Sequence, residues 1–179
     1  MIIVVFGVSG SGKTTVGKAL AERLGCEFAD ADDFHSAQNI EKMRKGIPLD
    51  DDDRAGWLSD LRDLIDDRFA TGSDLVLACS ALKQKYRDYL SENCDPSADS
   101  EASDESVCRI PNVRFVYLRG TFETISRRLI ERPNHFMNPS LLRSQFEALE
   151  EPTDSRFTFD AELTVEEIVE KVGEGRRRV

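Results

Sequence analysis

The stretch that most constrains this chain is its first fourteen residues. Met1-Ile2-Ile3-Val4-Val5-Phe6 is an apolar run, and Gly7-Val8-Ser9-Gly10-Ser11-Gly12-Lys13-Thr14 follows it directly. The second segment fits G-x-x-x-x-G-K-S/T, the phosphate-binding loop, set where a buried strand ends and a helix begins. Gly7, Gly10 and Gly12 allow backbone angles that a Cβ forbids, so successive N–H groups turn inward toward a phosphate. Lys13 brings a compact positive charge to the β/γ-phosphates, and Thr14 offers a hydroxyl to Mg²⁺. Ser9, Ser11 and Thr15 complete the loop and the first helical turn. The residues from Lys13 to Leu24 continue as a helix whose N-terminal amides favour an anion. This pattern points to a nucleoside triphosphate site.

A chain of 179 residues suits one domain with a sizeable core, and 1–179 reads as a single unit. Its net charge of -10 opposes binding to phosphate backbones, so no nucleic-acid partner is expected. No apolar run approaches the roughly 18 residues that span a bilayer, so no membrane partner is expected either. The apolar N-terminus lacks the basic flank of a signal peptide. Cys26, Cys79, Cys94 and Cys108 show no C-x-x-C pair and no histidine at metal spacing, which reads as reduced cysteine in a cytoplasmic protein.

Along the chain, strands are expected at Ile2 to Phe6, Cys26 to Ala29, Leu75 to Cys79, Val113 to Leu118 and Phe157 to Ala161. Between them, helical spacing covers Ser36 to Lys45, Trp57 to Phe69, Ala81 to about Leu90, Phe122 to Arg132 and a segment through Leu142, Phe146 and Leu149. Thr164 and Glu167 form a capping box for a last helix. Residues 92–111 read as a mobile acidic insertion, because Ser and Asp dominate and residues 92–106 carry no Lys or Arg. Strands alternating with helices imply right-handed βαβ units and a parallel sheet covered by helices, an α/β fold. Ligands in such folds lie at the carboxyl ends of the strands, which puts Gly7 to Thr14, Asp30 to His35, Ser80 to Lys83 and Arg119 along one rim.

Phosphoryl transfer needs bound phosphates, Mg²⁺, an oriented acceptor hydroxyl and positive charge over the moving group. Asp30, Asp32 and Asp33 are candidates for the acceptor carboxylate, and an extended backbone would turn Asp30 and Asp32 to the same face. The third strand ends Leu77-Ala78-Cys79-Ser80 without an acidic residue, which shifts the Mg²⁺ duty toward the Asp32 region. Arg128 and Arg132 lie one helical turn apart and suit a lid over the nucleotide.

Further motifs then fall in a specific order. They are Asp30-Ala31-Asp32-Asp33-Phe34-His35, Asn39 to Met43, Gly46 to Arg54, Trp57-Leu58, Cys79 to Lys83 with Tyr86-Arg87-Asp88, His135-Phe136-Met137, and Gln145 to Glu150. With the loop, this series resembles the gluconokinases, small P-loop kinases related to shikimate and nucleoside monophosphate kinases. The resemblance spans most of residues 3–152. It implies a P-loop NTPase fold of three α/β/α layers, with a five-stranded parallel sheet in the order 2-3-1-4-5 and a helical lid and substrate region. It implies transfer of the ATP γ-phosphoryl to the 6-hydroxyl of D-gluconate, and it is compatible with a homodimer. Carried over by position, it gives Lys13, Asp32 and Arg132 to catalysis. Gly7, Ser9, Gly10, Ser11, Gly12, Lys13, Thr14, Thr15 and Arg128 go to the nucleotide, with Arg128 on adenine. Asp32, His35, Arg54, Lys83, Arg87 and His135 go to the sugar acid and lid, and Thr14 and Asp32 to Mg²⁺.

Other readings fit less well. Shikimate kinases carry a glycine triplet where this chain has Ser80-Ala81-Leu82, and nucleoside monophosphate kinases a longer arginine-rich lid. The N-K-x-D signature of GTPases does not occur. A non-catalytic nucleotide-binding module would have no use for Asp32, Arg54, Lys83 and Arg87 on the strand rim. The chain departs from the resembled pattern at the acidic insertion, at Ser36 and at Pro133-Asn134.

Overall fold

A computed structural model describes residues 1–92, 113–131, 140–154 and 157–174. The chain runs β1 (Ile2–Phe6), α1 (Lys13–Leu24), β2 (Glu27–Asp30), a 3₁₀ turn (Ala31–Phe34), α2 (Ala37–Arg44) and α3 (Asp51–Ala70). It continues through β3 (Leu75–Cys79), α4 (Gln84–Ser91), β4 (Val113–Arg119), α5 (Phe122–Glu131), α6 (Ser140–Ala148), β5 (Thr158–Asp160) and α7 (Val165–Glu174). The five strands form one parallel sheet in the order β2-β3-β1-β4-β5, as the resemblance implies. β1 lies at its centre, every residue buried, and pairs Phe6 with Cys79 on one side and Tyr117 on the other.

Strand alternation divides the core between two faces. Ile2, Val4, Phe6, Leu75 and Leu77 pack under Trp57, Leu61 and Ile65 of α3 and Leu90 of α4. Ile3, Val5, Val76, Val116 and Leu118 pack under Val16 and Leu20 of α1 and Ile168 and Val172 of α7. Each fully buried aliphatic side chain contributes about 1.5–3 kcal/mol. A third cluster, built from Val8, Leu82, Ile125, Leu129, Leu142 and Ala161, caps the carboxyl rim of the sheet beneath α5 and α6.

Three segments differ from their sequence expectations. The acidic run before Trp57 is the first turn of α3. Asp50 caps the helix by accepting from the Asp53 amide at 2.8 Å, and Asp53 accepts from the Asp50 amide at 3.1 Å. A helix N-terminus favours carboxylates, so α3 begins at Asp51, before the expected start at Trp57. The fourth helix starts at Gln84 rather than Ala81, because Ala81 is left-handed at φ +37° and Lys83 is extended. The stretch after Asp30 curls into the 3₁₀ turn, with Asp30 Oδ1 accepting from the Asp32 amide at 3.2 Å, so Asp30 and Asp32 do not share an extended face. The Thr164–Glu167 capping box forms as expected. From residue 93 onward the acidic insertion lies outside the described residues, as do Arg132 and His135.

Candidate active site

The loop between β1 and α1 is shaped by three glycines. Gly10 and Gly12 sit at φ +84° and +100°, and a Cβ on Gly7 would meet the Leu118 carbonyl oxygen at 2.8 Å. Gly12 caps α1 with no side-chain hydrogen bond, so the first-turn amides face the loop concavity that suits a phosphate. Lys13 folds back along the loop, its Nζ donating to the Val8 carbonyl at 3.1 Å. Ser9 is held from outside the loop: its N–H donates to Gln145 Oε1 at 2.7 Å, and its hydroxyl accepts from Gln145 Nε2 at 3.1 Å.

Thr14 Oγ1 donates to Asp30 Oδ2 at 2.8 Å. The Thr14–Asp30 pair is a hard-oxygen donor set of the kind that holds Mg²⁺ alongside substrate phosphates. The described residues contain no cluster of three or more His, Cys, Asp or Glu suited to a metal. Sequence reasoning assigned Asp32 with Thr14, yet the carboxylate that reaches Thr14 belongs to Asp30, and the 3₁₀ turn is the reason.

The end of β3 gathers the other charges. Burial pushes the Cys79 thiol up to about 12, and Asp32, Lys13 and Arg54 all act on it electrostatically. The thiol is therefore neutral and inert, and all three charged groups are within electrostatic reach of the carboxyl end of β3. His35 stacks on Trp57, ring centroids 4.8 Å apart, while Trp57 Nε1 donates to the Ala31 carbonyl at 2.7 Å. Burial lowers the pKa of His35, the Asp32 carboxylate raises it and Arg54 lowers it further. A mostly neutral imidazole thus flanks Asp32 near neutral pH.

Beside this centre, Tyr86 organises a cationic wall. Arg54, Lys83 and Lys85 each lie within 6 Å of its ring centroid, at 5.9, 5.6 and 5.8 Å. Asp51 threads the wall, accepting from Lys83 at 2.7 Å, from Lys85 at 2.6 Å and from the Tyr86 hydroxyl. Those donors, Lys83 first, hold the Asp51 carboxyl well below its usual range. Neither Asp51 nor Tyr86 was singled out from sequence. Sugar acids present a carboxylate and hydroxyls, and this wall offers matching donors.

Arg87 corrects an expectation. It is 2% exposed and faces the protein rather than a ligand. Its guanidinium donates to the carbonyls of Ala81, Leu82 and Glu150 and to Gln84 Oε1, and it lies 4.9 Å from the Phe6 ring centroid. Lys83 caps α4 instead of sitting inside it, so it and Arg87 are held by different partners. Arg87→Leu should cost about 1–3 kcal/mol, because the Ala81 carbonyl loses the buried Arg87 donor, while the Leu82 carbonyl keeps the Glu150 amide. Urea denaturation reads this, and a loss under about 0.5 kcal/mol would show that the carbonyls are otherwise satisfied.

On the other side of the loop lies a cleft of about 340 Å³, lined by Gly10 to Gly12, Thr15, Arg128 and Ala161, among others. Arg128 donates to the Ala161 carbonyl at 2.8 Å, which holds its guanidinium at the cleft. The space adjoins the loop where the nucleoside end of a triphosphate would lie.

The shikimate kinase family model matches residues 9–175. The chain is 44% identical over 182 residues to a probable gluconokinase of Dictyostelium discoideum, covering 96% of this chain and 84% of that protein. The chain belongs to the gluconokinase family. Two solved structures agree. A gluconokinase from Sinorhizobium meliloti 1021 superposes with a TM-score of 0.75 at 39% identity, covering 98% of this chain and 91% of that one. A sugar kinase from Janibacter sp. HTCC2649 superposes with a TM-score of 0.81 at 42% identity, covering 96% and 91%. Like other gluconokinase-family members, this chain is an enzyme, a kinase.

Proposed function

We propose that this kinase transfers the γ-phosphoryl of ATP to the 6-hydroxyl of D-gluconate, giving 6-phospho-D-gluconate and ADP. The observation that carries the reading is the grouping of Lys13, Asp32 and Arg54 around the end of β3, beside a wall of cations at Tyr86. In this reading Lys13 and the loop amides bind the phosphates, and Lys13 offsets charge that builds as the phosphoryl group moves. Asp32 orients the acceptor hydroxyl and takes its proton. Arg54 and Lys83 bind the sugar-acid carboxylate and hydroxyls, with His35 a polar contact on the same side. Arg128 packs on adenine, and Arg132 and His135 belong to the lid.

Mg²⁺ is the proposed cofactor, held by Thr14 and Asp30 with Asp32 near by, and it supplies charge neutralisation to the phosphates. The charge of -10 supports a small-molecule rather than a nucleic-acid partner. No helix among the described residues is long and apolar enough to cross a membrane. A cytoplasmic homodimer is the proposed setting, supported by cysteine usage and by family resemblance.

The test is ADP release in a coupled assay over a panel of acceptors. Gluconate should support turnover, and shikimate and AMP should not. Turnover with shikimate or AMP in preference to gluconate would replace the substrate assignment. Nucleotide binding without acceptor-dependent ADP release would mark a binding module.

A further inference from the structure

We infer that Gln145 is a positioning residue that links the phosphate loop to the 82–84 turn of the acceptor wall, with α6 as the strut between them. The inference concerns nucleotide-driven coupling within the site whose substrate is proposed above, and its test needs no acceptor.

At one end of the strut, both halves of the Gln145 amide engage Ser9. A backbone N–H can only donate, so the Ser9 amide fixes which end of the Gln145 side chain is oxygen, and the hydroxyl then receives the NH₂. Two bonds to one residue set both the position and the orientation of the loop at Ser9. At the other end, Glu150 closes on the turn that follows β3. Its amide donates to the Leu82 carbonyl at 2.9 Å, and its Oε2 accepts from the Gln84 amide at 2.6 Å. Its carbonyl accepts from Arg87 at 2.7 Å. Between the ends, Phe146 and Leu149 pack against one apolar cluster that holds Leu142 of α6, Val8 of the loop and Leu82 of the turn.

These contacts close a ring: β1 to phosphate loop, loop to α6, α6 to the 82–84 turn, turn to β3, and β3 back to β1 through the Phe6–Cys79 register. A bound triphosphate draws on the loop amides that follow Ser9, whose own N–H is held by Gln145. Reseating of Ser9 therefore moves Gln145, and the packed last turn of α6 with the two residues that follow it passes that movement to Glu150 rather than absorbing it. The turn it reaches carries Lys83, so the nucleotide sets the cationic wall before the acceptor arrives.

Amide hydrogen exchange tests this with a non-hydrolysable ATP analogue and Mg²⁺ alone. In the wild type the analogue should slow exchange at the Gln84 and Glu150 amides by about fivefold or more, beside protection in residues 7–14. Gln145→Met keeps the side-chain volume and removes both bonds. It should keep protection in residues 7–14 and lose the effect at Gln84 and Glu150. Ser9→Ala, which deletes one of the two bonds, should give an intermediate loss and covers the case in which Gln145→Met does not fold. Undiminished transmission in either folded variant, or none in the wild type, overturns the inference. A wild type that phosphorylates no gluconate would instead sink the proposed substrate, and the exchange result would stand separately.

Discussion

Lys13→Ala should lower kcat by about 10²–10³ while leaving the fold intact. Lys13 is the first residue of α1 and half-buried, and its Nζ already lies along the loop on the Val8 carbonyl. The charge is thus placed before substrate binds, and it acts most on the charge that develops during transfer. A compact ammonium is a point charge, so even Lys13→Arg, with its planar fork, should not restore the wild-type rate. Steady-state kinetics beside circular dichroism checks both variants. A folded Lys13→Ala protein with wild-type turnover would remove Lys13 from the chemistry.

Asp32→Asn should lower kcat by about 10²–10⁴ and raise the acceptor KM by much less. The carboxylate lies near His35 and within electrostatic reach of the Cys79 thiol, beside Lys13 and Arg54. An amide keeps the shape and some hydrogen bonding but cannot accept the acceptor's proton. The expected split follows from an interaction made mainly in the transition state. A large rise in KM with kcat preserved would make Asp32 a binding group, and the proton would need another acceptor. Asp30 is exposed to the same test from a different direction. It bonds Thr14, so Asp30→Asn should raise the Mg²⁺ concentration needed for half-maximal rate more than it raises the acceptor KM.

The sheet and the phosphate loop were legible because their signals are local. Continuous apolar runs mark β1 and β3, and Gly7, Gly10 and Gly12 mark a loop that needs open backbone angles. The 80–83 segment was not legible. Ala81, Leu82 and Lys83 are good helix formers, yet Ala81 is left-handed. Part of the cause is distant in sequence: the Arg87 guanidinium, five and six residues on, takes the Leu82 and Ala81 carbonyls, while Glu150, far along the chain, takes the Gln84 amide. Tertiary partners overrode local preference there. Arg87 was given to the ligand by resemblance alone, and its burial against the Ala81, Leu82 and Glu150 carbonyls could not be read from its neighbours in the chain. Gln145 did leave a signal. Leu142, Gln145, Phe146 and Leu149 follow helical spacing, so Gln145 is a polar residue on an otherwise apolar face. Asp51 left none, because its partners on α4 come more than thirty residues later in the chain.

The two halves of the site rest on foundations of different stiffness. The triphosphate half grows out of β1, every residue of which is buried at the middle of the sheet. The proposed acceptor half grows from the starts of α3 and α4, where Asp51, Lys83 and Lys85 are 45%, 31% and 59% exposed. Exchanging those few surface side chains disturbs little of the interior, whereas almost any change at the base of the loop does. A lineage built on this scaffold is therefore free to trade one hydroxylated acid for another while its nucleotide chemistry stays fixed.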